Sequence, residues 1–468
     1  MVGARGLSWG IALALVVAAN ACAQGRPPFY RVIDSWLQQD LSAAERFCKQ
    51  VDPGTPARIA AEGVVAAMRG EFKDAQAKLQ AVQREVGDYL IINEIHALCC
   101  AMNGDFVRAR QVLGEDDDGV RALRMAVEGP FWADVPHVAP LLERRSPSGR
   151  YRIVSDVGLG RPLPVLEQEL AAADPAAREA LAKRIAGQHK ALDQLGEIMD
   201  KAFTNFERMF GELRHVDGVA TVFVFADRKR FETFRGAFNL SSEHVAGTYF
   251  PIARTLVFYA DDSPEDLAAT GLEIGLGTLK VLLHESFHQY LHLCVDRVPP
   301  WLNEGLAEYF GNRLSEEILA ARDPAAPKAY PDRLKDVVFL REKVPHMAPV
   351  LPLEDLLDQN QAEFMSSPQR AFTNYAQSWV FVHFLASSPP GRGHLMGYLR
   401  GLRDGDSAPH LNGKLLGMDD QRAMLERGWR RHAGKLHKHY LDQDPGMAAW
   451  FEEQMEKLRE RTREGGDQ

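Results

Sequence analysis

The chain has 468 residues, of which 46% are hydrophobic and 25% are charged, so it is long enough for two or three domains with buried cores. Its formal net charge is −9. Nucleic-acid-binding proteins usually carry a basic surface, so this charge argues against a nucleic-acid partner. Beyond the N-terminus, no segment is apolar over the length that a membrane-spanning helix needs.

The N-terminus has the layout of a secretory signal peptide. Arg5 precedes an apolar run, Leu7–Ala19, which ends at an Ala-Cys-Ala sequence. The run is shorter than the roughly 20 residues of a spanning helix. We therefore predict a signal peptide over residues 1–23 and an exported protein, whether periplasmic, cell-surface or extracellular. A lipid anchor at Cys22 is the less favoured alternative, because the residue three positions earlier is a small alanine.

Signal-peptide cleavage would leave four cysteines, and an exported protein of this size does not need a disulfide scaffold. Cys48 with Cys99 or Cys100 is the one pairing that lies within a single region. Cys99 and Cys100 are also typical of buried helix positions. None of the cysteines has the spacing of a metal ligand.

Two segments of the N-terminal region match at an offset of 34 residues. AAMRGEFKDAQAKL (residues 66–79) and CAMNGDFVRARQVL (residues 100–113) share Met, Gly, Phe, Ala and Leu at equivalent positions. This period resembles that of the tetratricopeptide family, which implies helical hairpins over residues 30–118 and a surface for a protein partner. A generic pair of helical hairpins is the alternative.

Strand patterns begin after a linker-like zone bounded by GEDDDG (residues 114–119) and RRSPSGR (residues 144–150). A helical pattern then runs from Leu163 to Leu213, with an interruption at Asp174-Pro175. Three segments are rich in β-branched and aromatic residues and predict strands: RYRIVSDVG from Arg150, VATVFVFA from Val219 and GTYFPIARTLVFYA from Gly247.

The segment TLKVLLHESFHQYLHLC predicts a helix that begins at an N-cap, Thr278, and contains the sequence HESFH. His284 and His288 are four residues apart and therefore share one helix face, about 6 Å apart, where both imidazoles can bind one metal ion. Glu285 projects to the side where an attacking water would lie. His292 is two turns from His284, roughly 12 Å along the axis, and we expect it to be exposed or hydrogen-bonded rather than a ligand.

A second cluster of acidic residues follows within a dozen positions. Pro299-Pro300 is expected to end the first helix, and WLNEGLAEYF begins another. Glu304 and Glu308 are again four residues apart, on the face that a reversed helix would turn toward the histidines. Two histidines and one carboxylate suit a catalytic zinc with an open position, whereas structural zinc sites usually have four protein ligands.

HESFH and WLNEGLAEY together resemble the gluzincin metallopeptidases (peptidase MA clan), and the short connection resembles the peptidase MA-like domains of exported bacterial proteins. The resemblance implies Zn²⁺ ligands at His284, His288 and Glu304, with Glu285 as general base and Glu308 as a carboxylate that orients a ligand imidazole. Only 15 residues separate His288 from Glu304, fewer than in the best-known members. Glu308 fits their spacing better and is the alternative third ligand.

Two further parts of the chain resemble this clan. TNYAQSWVFVHFL resembles the aminopeptidase segment in which a Tyr opens a helix and donates a hydrogen bond to the oxyanion, which implies that role for Tyr375, with Ser378 at a small position. A core-packed Tyr375 is the alternative. The strand from Gly247 occupies the place of an edge strand that binds extended substrate, so Gly247 and Thr248 are predicted substrate-binding residues. The Gly-x-x-Met-Glu-Asn sequence of the aminopeptidases is absent, which favours an endopeptidase.

We therefore predict an α+β fold. It has a helical tetratricopeptide-like region (residues 24–145), a zincin-like metallopeptidase domain (146–400) with a small mixed sheet and a helical lower lobe, and a helical C-terminal segment with a charged tail (401–468). The predicted function is zinc-dependent hydrolysis of a peptide or protein substrate. The alternative is a catalytically inactive metallopeptidase fold that recruits a protein partner through its repeats. Glu285 argues against this alternative, because binding alone requires no general base.

Overall fold

A computed structural model of the protein describes residues 27–38, 40–86, 90–113, 142–155, 174–213, 218–225, 228–237, 247–250, 254–260, 267, 272, 274–295, 297–322, 349–443, 445–446, 448–450, 452–453 and 456–457. The predicted signal peptide and the GEDDDG segment lie outside these residues. The described part is α+β, with an N-terminal helical region, a five-stranded mixed sheet and a helical C-terminal part. The chain divides into two compact units, Met1–Asp296 and Arg297–Gln468.

The N-terminal region of the first unit is helical wherever it is described. Its helices are α1 (Pro28–Leu37), α2 (Leu41–Cys48), α3 (Pro56–Met68), α4 (Phe72–Ala81), α5 (Gln83–Val86), α6 (Leu90–Met102) and α7 (Phe106–Leu113). Helices α3 and α6 end in the same turn, 34 residues apart. Gly70 N–H donates to the Ala67 carbonyl, Gly104 N–H donates to the Ala101 carbonyl, and both glycines have positive φ, +78° and +82°. The repeat is therefore structural, and its tetratricopeptide membership stays a prediction.

The five-stranded sheet has the order β1-β2-β3-β5-β4, with β2, β3 and β5 parallel and the two end strands antiparallel. Two of its features differ from the sequence prediction. RRSPSGR is not part of a linker but contains the turn of a hairpin, and the segment from Gly247 forms two strands joined through Arg254. The strands are β1 (Leu142–Arg145), β2 (Tyr151–Ser155), β3 (Ala220–Phe225), β4 (Gly247–Phe250) and β5 (Thr255–Tyr259).

Three further helices complete the described part of the first unit: α8 (Pro175–Phe210), α9 (Arg228–Ala237) and α10 (Leu276–Cys294). Helix α8 starts at the predicted Asp174-Pro175 position, where the Asp174 side chain caps it by accepting the Ala177 N–H, and the helical pattern predicted before it (residues 163–173) lies outside the described residues. Phe206 and Phe210 of α8 contact Phe287 of α10 edge-to-face, with ring centroids 5.2 and 5.7 Å apart, so α8 supports the HESFH helix.

The predicted start of the HESFH helix was wrong by three residues. Helix α10 begins at Leu276, after an N-cap at Gly275 with extended backbone, and not after Thr278. Thr278 lies inside the first turn and is buried. Helix bounds commonly shift by this much, because the first-turn N–H groups have no intrahelical acceptors and constrain the start only weakly.

The described part of the second unit is helical: α11 (Pro300–Ala320), α12 (Leu353–Leu357), α13 (Gln361–Phe364), α14 (Pro368–Ala386), α15 (Pro389–Arg403), α16 (Ala408–Leu416) and α17 (Asp419–Gln443). Helix α10 has already ended at Cys294, so the Pro-Pro pair does not terminate it as predicted. Pro299 is instead the N-cap of α11 and Pro300 its first residue, where a missing N–H costs nothing. Nowhere in the described residues is a helix both long and apolar enough to cross a membrane.

The four described cysteines, Cys48, Cys99, Cys100 and Cys294, are buried, and none of them forms a disulfide bond. The pairing of Cys48 with Cys99 or Cys100 is therefore not formed. Burial raises the pKa of Cys100 to about 11 and also raises the pKa of Cys99, so both thiols are protonated at neutral pH. Their place in a packed helix agrees with the prediction of buried positions.

Two neighbouring histidines make the second unit sensitive to acid. His383 Nδ1 lies 2.9 Å from His432 Nε2, and burial lowers the pKa of His383 from 6.5 to about 4. The unfolded chain therefore protonates His383 at a higher pH than the folded chain does. The contribution of His383 to stability is complete above about pH 6.5 and is lost as the pH falls toward 4.

We expect the free energy of unfolding, measured in urea, to be about 2 kcal/mol lower at pH 5 than at neutral pH because of His383 alone. The H383Q variant should have a flatter pH profile, and an unchanged profile would contradict this origin.

Candidate metal centre

Two histidines of α10 direct ring nitrogens toward each other. His284 Nε2 lies 3.0 Å from His288 Nε2, and the rings meet edge-to-face with centroids 4.7 Å apart. His288 is buried and His284 is half-buried. The helical period accounts for this arrangement, because residues four apart lie above one another on the same face. The two imidazoles therefore offer their nitrogens to one point in space.

Glu304 completes a group of three candidate ligands. One ligand atom from each of His284, His288 and Glu304 lies within 4.8 Å of the other two, and Glu304 is buried with 6% exposure. Within the described residues, this is the one group of three or more His, Cys, Asp or Glu side chains that could hold a metal ion. A tetrahedral ion with bonds of about 2.0–2.1 Å places its ligand atoms roughly 3.3–3.4 Å apart. The imidazole separation is close to that value, so the donor set fits such an ion after small side-chain adjustments.

Glycine follows Glu304 for a steric reason. A Cβ at position 305 would lie 2.8 Å from the Ser378 carbonyl oxygen and 2.8 Å from Val382 Cγ2. Helices α11 and α14 therefore approach closely at Gly305, where the backbone of the fully buried Ser378 and the Val382 side chain occupy the space that a Cβ would need. The Asn-Glu-Gly sequence at residues 303–305 and the small residue at position 378 thus lie at one close contact between the two helices. This contact fixes the turn of α11 that contains Glu304.

Glu285 lies beside the strand at the end of the sheet. A Cβ at position 247 would lie 2.9 Å from Glu285 Cγ, 2.9 Å from Val281 Cγ1 and 3.3 Å from Phe258 Cβ. Gly247 therefore allows a close approach between β4 and the side chains of α10. Thr248 pairs with Val257 and is half-buried. The substrate-binding role of Gly247 and Thr248 stays a prediction.

The G247A substitution tests this close approach. The added methyl group has to displace Glu285 or Val281, so we expect a stability loss of about 1–3 kcal/mol in urea unfolding. G393A is the matched control, because a Cβ at that position has no neighbour within 4 Å. Equal stability in the two variants would show that Glu285 is not held by contact with β4.

Tyr375 belongs to α14 and is half-buried. It does not open the helix, as the resemblance implied, because α14 begins seven residues earlier at Pro368. Phe364 packs edge-to-face on Tyr375 at 5.5 Å, and the Asn374 side chain donates to the Phe364 carbonyl at 2.9 Å. Tyr375 stands one turn before Ser378, on the helix that packs against α11. Its contact with an oxyanion stays a prediction.

Glu308 and His292 do not belong to the group of close ligand atoms. Glu308 is half-buried one turn after Glu304. His292 is also half-buried, and its ring lies 5.4 Å from Tyr249 and 6.3 Å from His288. Tyr249 was missed by the sequence analysis, although its alternation with Gly247 along β4 places both residues on one face of the sheet.

Comparison of the chain with models of known protein families finds no match, and comparison with curated proteins finds none. The chemistry of the site is therefore inferred from its own side chains. Two imidazole nitrogens and a carboxylate oxygen are suited to binding a transition metal. Glu285, which follows His284 in α10, is a second carboxylate of a type that can transfer a proton.

Proposed function

We propose that the protein is an exported zinc-dependent metallopeptidase of the gluzincin type. The observation that carries this proposal is the grouping of His284, His288 and Glu304 within 4.8 Å of one another. Imidazole ligands favour zinc over magnesium or calcium, which prefer oxygen ligands. Three protein ligands leave a fourth position open, as in catalytic rather than structural zinc sites.

Individual residues of the chain have separate roles in the proposed reaction. When bound, zinc would lower the pKa of a water molecule and polarise the substrate carbonyl. Glu285 accepts the proton of the attacking water and then donates it to the leaving amine. Tyr375 donates a hydrogen bond to the oxyanion. The substrate peptide lies extended along β4, near Gly247 and Thr248.

Metal analysis and a peptide-library assay test this function together. We expect about one equivalent of zinc per purified chain, its loss in H288A, and cleavage that a chelator stops and added zinc restores. The library also distinguishes cleavage within peptides from release of terminal residues. Protein without zinc and without cleavage would contradict the proposal and favour an inactive fold that recruits a partner through its helical region.

A further inference from the structure

A buried arginine connects the N-terminal helices to the turn between β4 and β5. Arg254 is 5% exposed, and its Nη2 donates to the carbonyl oxygens of Ala67 and Met68 at 3.4 Å each. Its guanidinium carbon lies 5.3 Å from the ring centroid of Phe72. Ala67 and Met68 are the last residues of α3, where carbonyl groups lack the usual N–H donor four residues later and the helix dipole is negative. Arg254 therefore contacts the first repeat turn at the C-terminal end of α3, where the negative end of the helix dipole favours a cation.

The backbone carbonyl of Arg254 contacts α10, the helix that contains His284 and His288. The Gln289 side chain donates from Nε2 to the Arg254 carbonyl at 3.0 Å, and Gln289 is 2% exposed. Gln289 directly follows His288 in α10. Arg254 also has a φ of +48°, which is uncommon for a residue other than glycine and persists only where the surroundings hold it. Contacts on both sides of Arg254, to α3 and to α10, supply that restraint.

The second repeat turn reaches the same side of α10. The Val219 N–H, just before β3, donates to the carbonyl of Met102, the residue equivalent to Met68 at the 34-residue offset. Met102 also lines a cavity together with Gln289 and Tyr290 of α10. Both repeat turns therefore make contacts within the chain, close to Gln289 and Tyr290, the residues that follow His288 in α10.

We propose that Arg254 is a positioning residue for the metal site, and that the helical repeat region supports α10 from within the chain. Arg254 fixes Gln289 through its carbonyl, and Gln289 holds the turn of α10 that presents His288. This inference depends on the proposed function for its effect on the metal, whereas its effect on α10 does not require a metal ion. It also assigns the two repeat turns to an intramolecular contact rather than to an external partner.

The variant R254M tests the proposal, because it keeps an unbranched apolar side chain and removes the guanidinium. We expect faster hydrogen exchange in the amides of α10 in metal-free protein and zinc binding weakened by about 10–100-fold, the range for loss of an outer partner of a ligand. The visible absorption of bound Co²⁺ should change, since it reports the ligand geometry. R254K should recover part of each effect, because a lysine ammonium still reaches helix carbonyls.

Two further variants keep the test decisive. R228M removes an exposed arginine that pairs with Glu232 at the surface of α9, and it should leave every readout at the wild-type value. Q289M retains the contacts of Arg254 with α3 and removes the link to α10. It should weaken zinc binding while hydrogen exchange in α3 stays unchanged, even where R254M fails to fold. If the wild-type chain binds no zinc, the proposed function fails, and exchange in α10 still decides the coupling. Unchanged exchange in α10 for both R254M and Q289M would overturn the inference.

Discussion

The E285Q variant is expected to keep its zinc and to lose peptide hydrolysis by roughly 10²–10⁴-fold, the contribution of a positioned general base. Glu285 follows ligand His284 on α10 and is no member of the group of close ligand atoms. Glutamine preserves the size and hydrogen-bonding capacity of the side chain but cannot accept the proton of the attacking water. Single-turnover cleavage of a library-derived peptide, with zinc content measured on the same sample, gives both quantities.

The matched control for this variant is E317Q. Glu317 is an exposed residue of α11 that pairs with Arg313 at 2.8 Å, so its amide should leave both zinc content and cleavage unchanged. Full activity in E285Q would exclude the proposed mechanism. Loss of zinc together with activity in E285Q would instead make Glu285 a ligand, in conflict with the grouping of His284, His288 and Glu304.

The parts of the fold that the sequence predicts well are those with a local pattern. The HESFH helix is periodic over almost its full length, the strand from Val219 is continuously β-branched and aromatic, and Asp174-Pro175 has the N-cap and first-residue preferences of a helix start. The candidate ligands were identified for the same reason, because the spacing of His284 and His288 needs only a helix to bring them together.

The features that were missed depend on contacts between distant parts of the chain. β1 is short and its sequence, LERR, is charged, so only pairing with β2 makes it a strand. Arg254 and Ala67 are 187 positions apart, and the sequence around neither residue predicts their contact. The close approach of Gly305 to Ser378 was not predicted, because the sequence assigned only Ser378 to a small position. Local patterns fix helices and strands, whereas tertiary packing decides which of their residues meet.

The choice of third ligand between Glu304 and Glu308 gives the second large expected effect. E304A should lower zinc affinity by more than the roughly 10–100-fold that loss of an outer partner costs, whereas E308A should fall within that range. The reason is geometric, because one ligand atom each of His284, His288 and Glu304 lie within 4.8 Å of one another, and Glu308 does not belong to this group. Competition with a chromophoric chelator at fixed pH measures both affinities. The pH must be fixed, since protons compete with zinc for the two imidazoles.

The double variant E304A/E308A separates ligand from neighbour. If Glu304 binds zinc and Glu308 only orients an imidazole, the zinc affinity of the double variant should be close to that of E304A, because an orienting contact has little to act on once the three-ligand set is broken. The opposite order, with E308A the weaker binder, would assign the ligand to Glu308 and restore the longer spacing of 19 residues after His288.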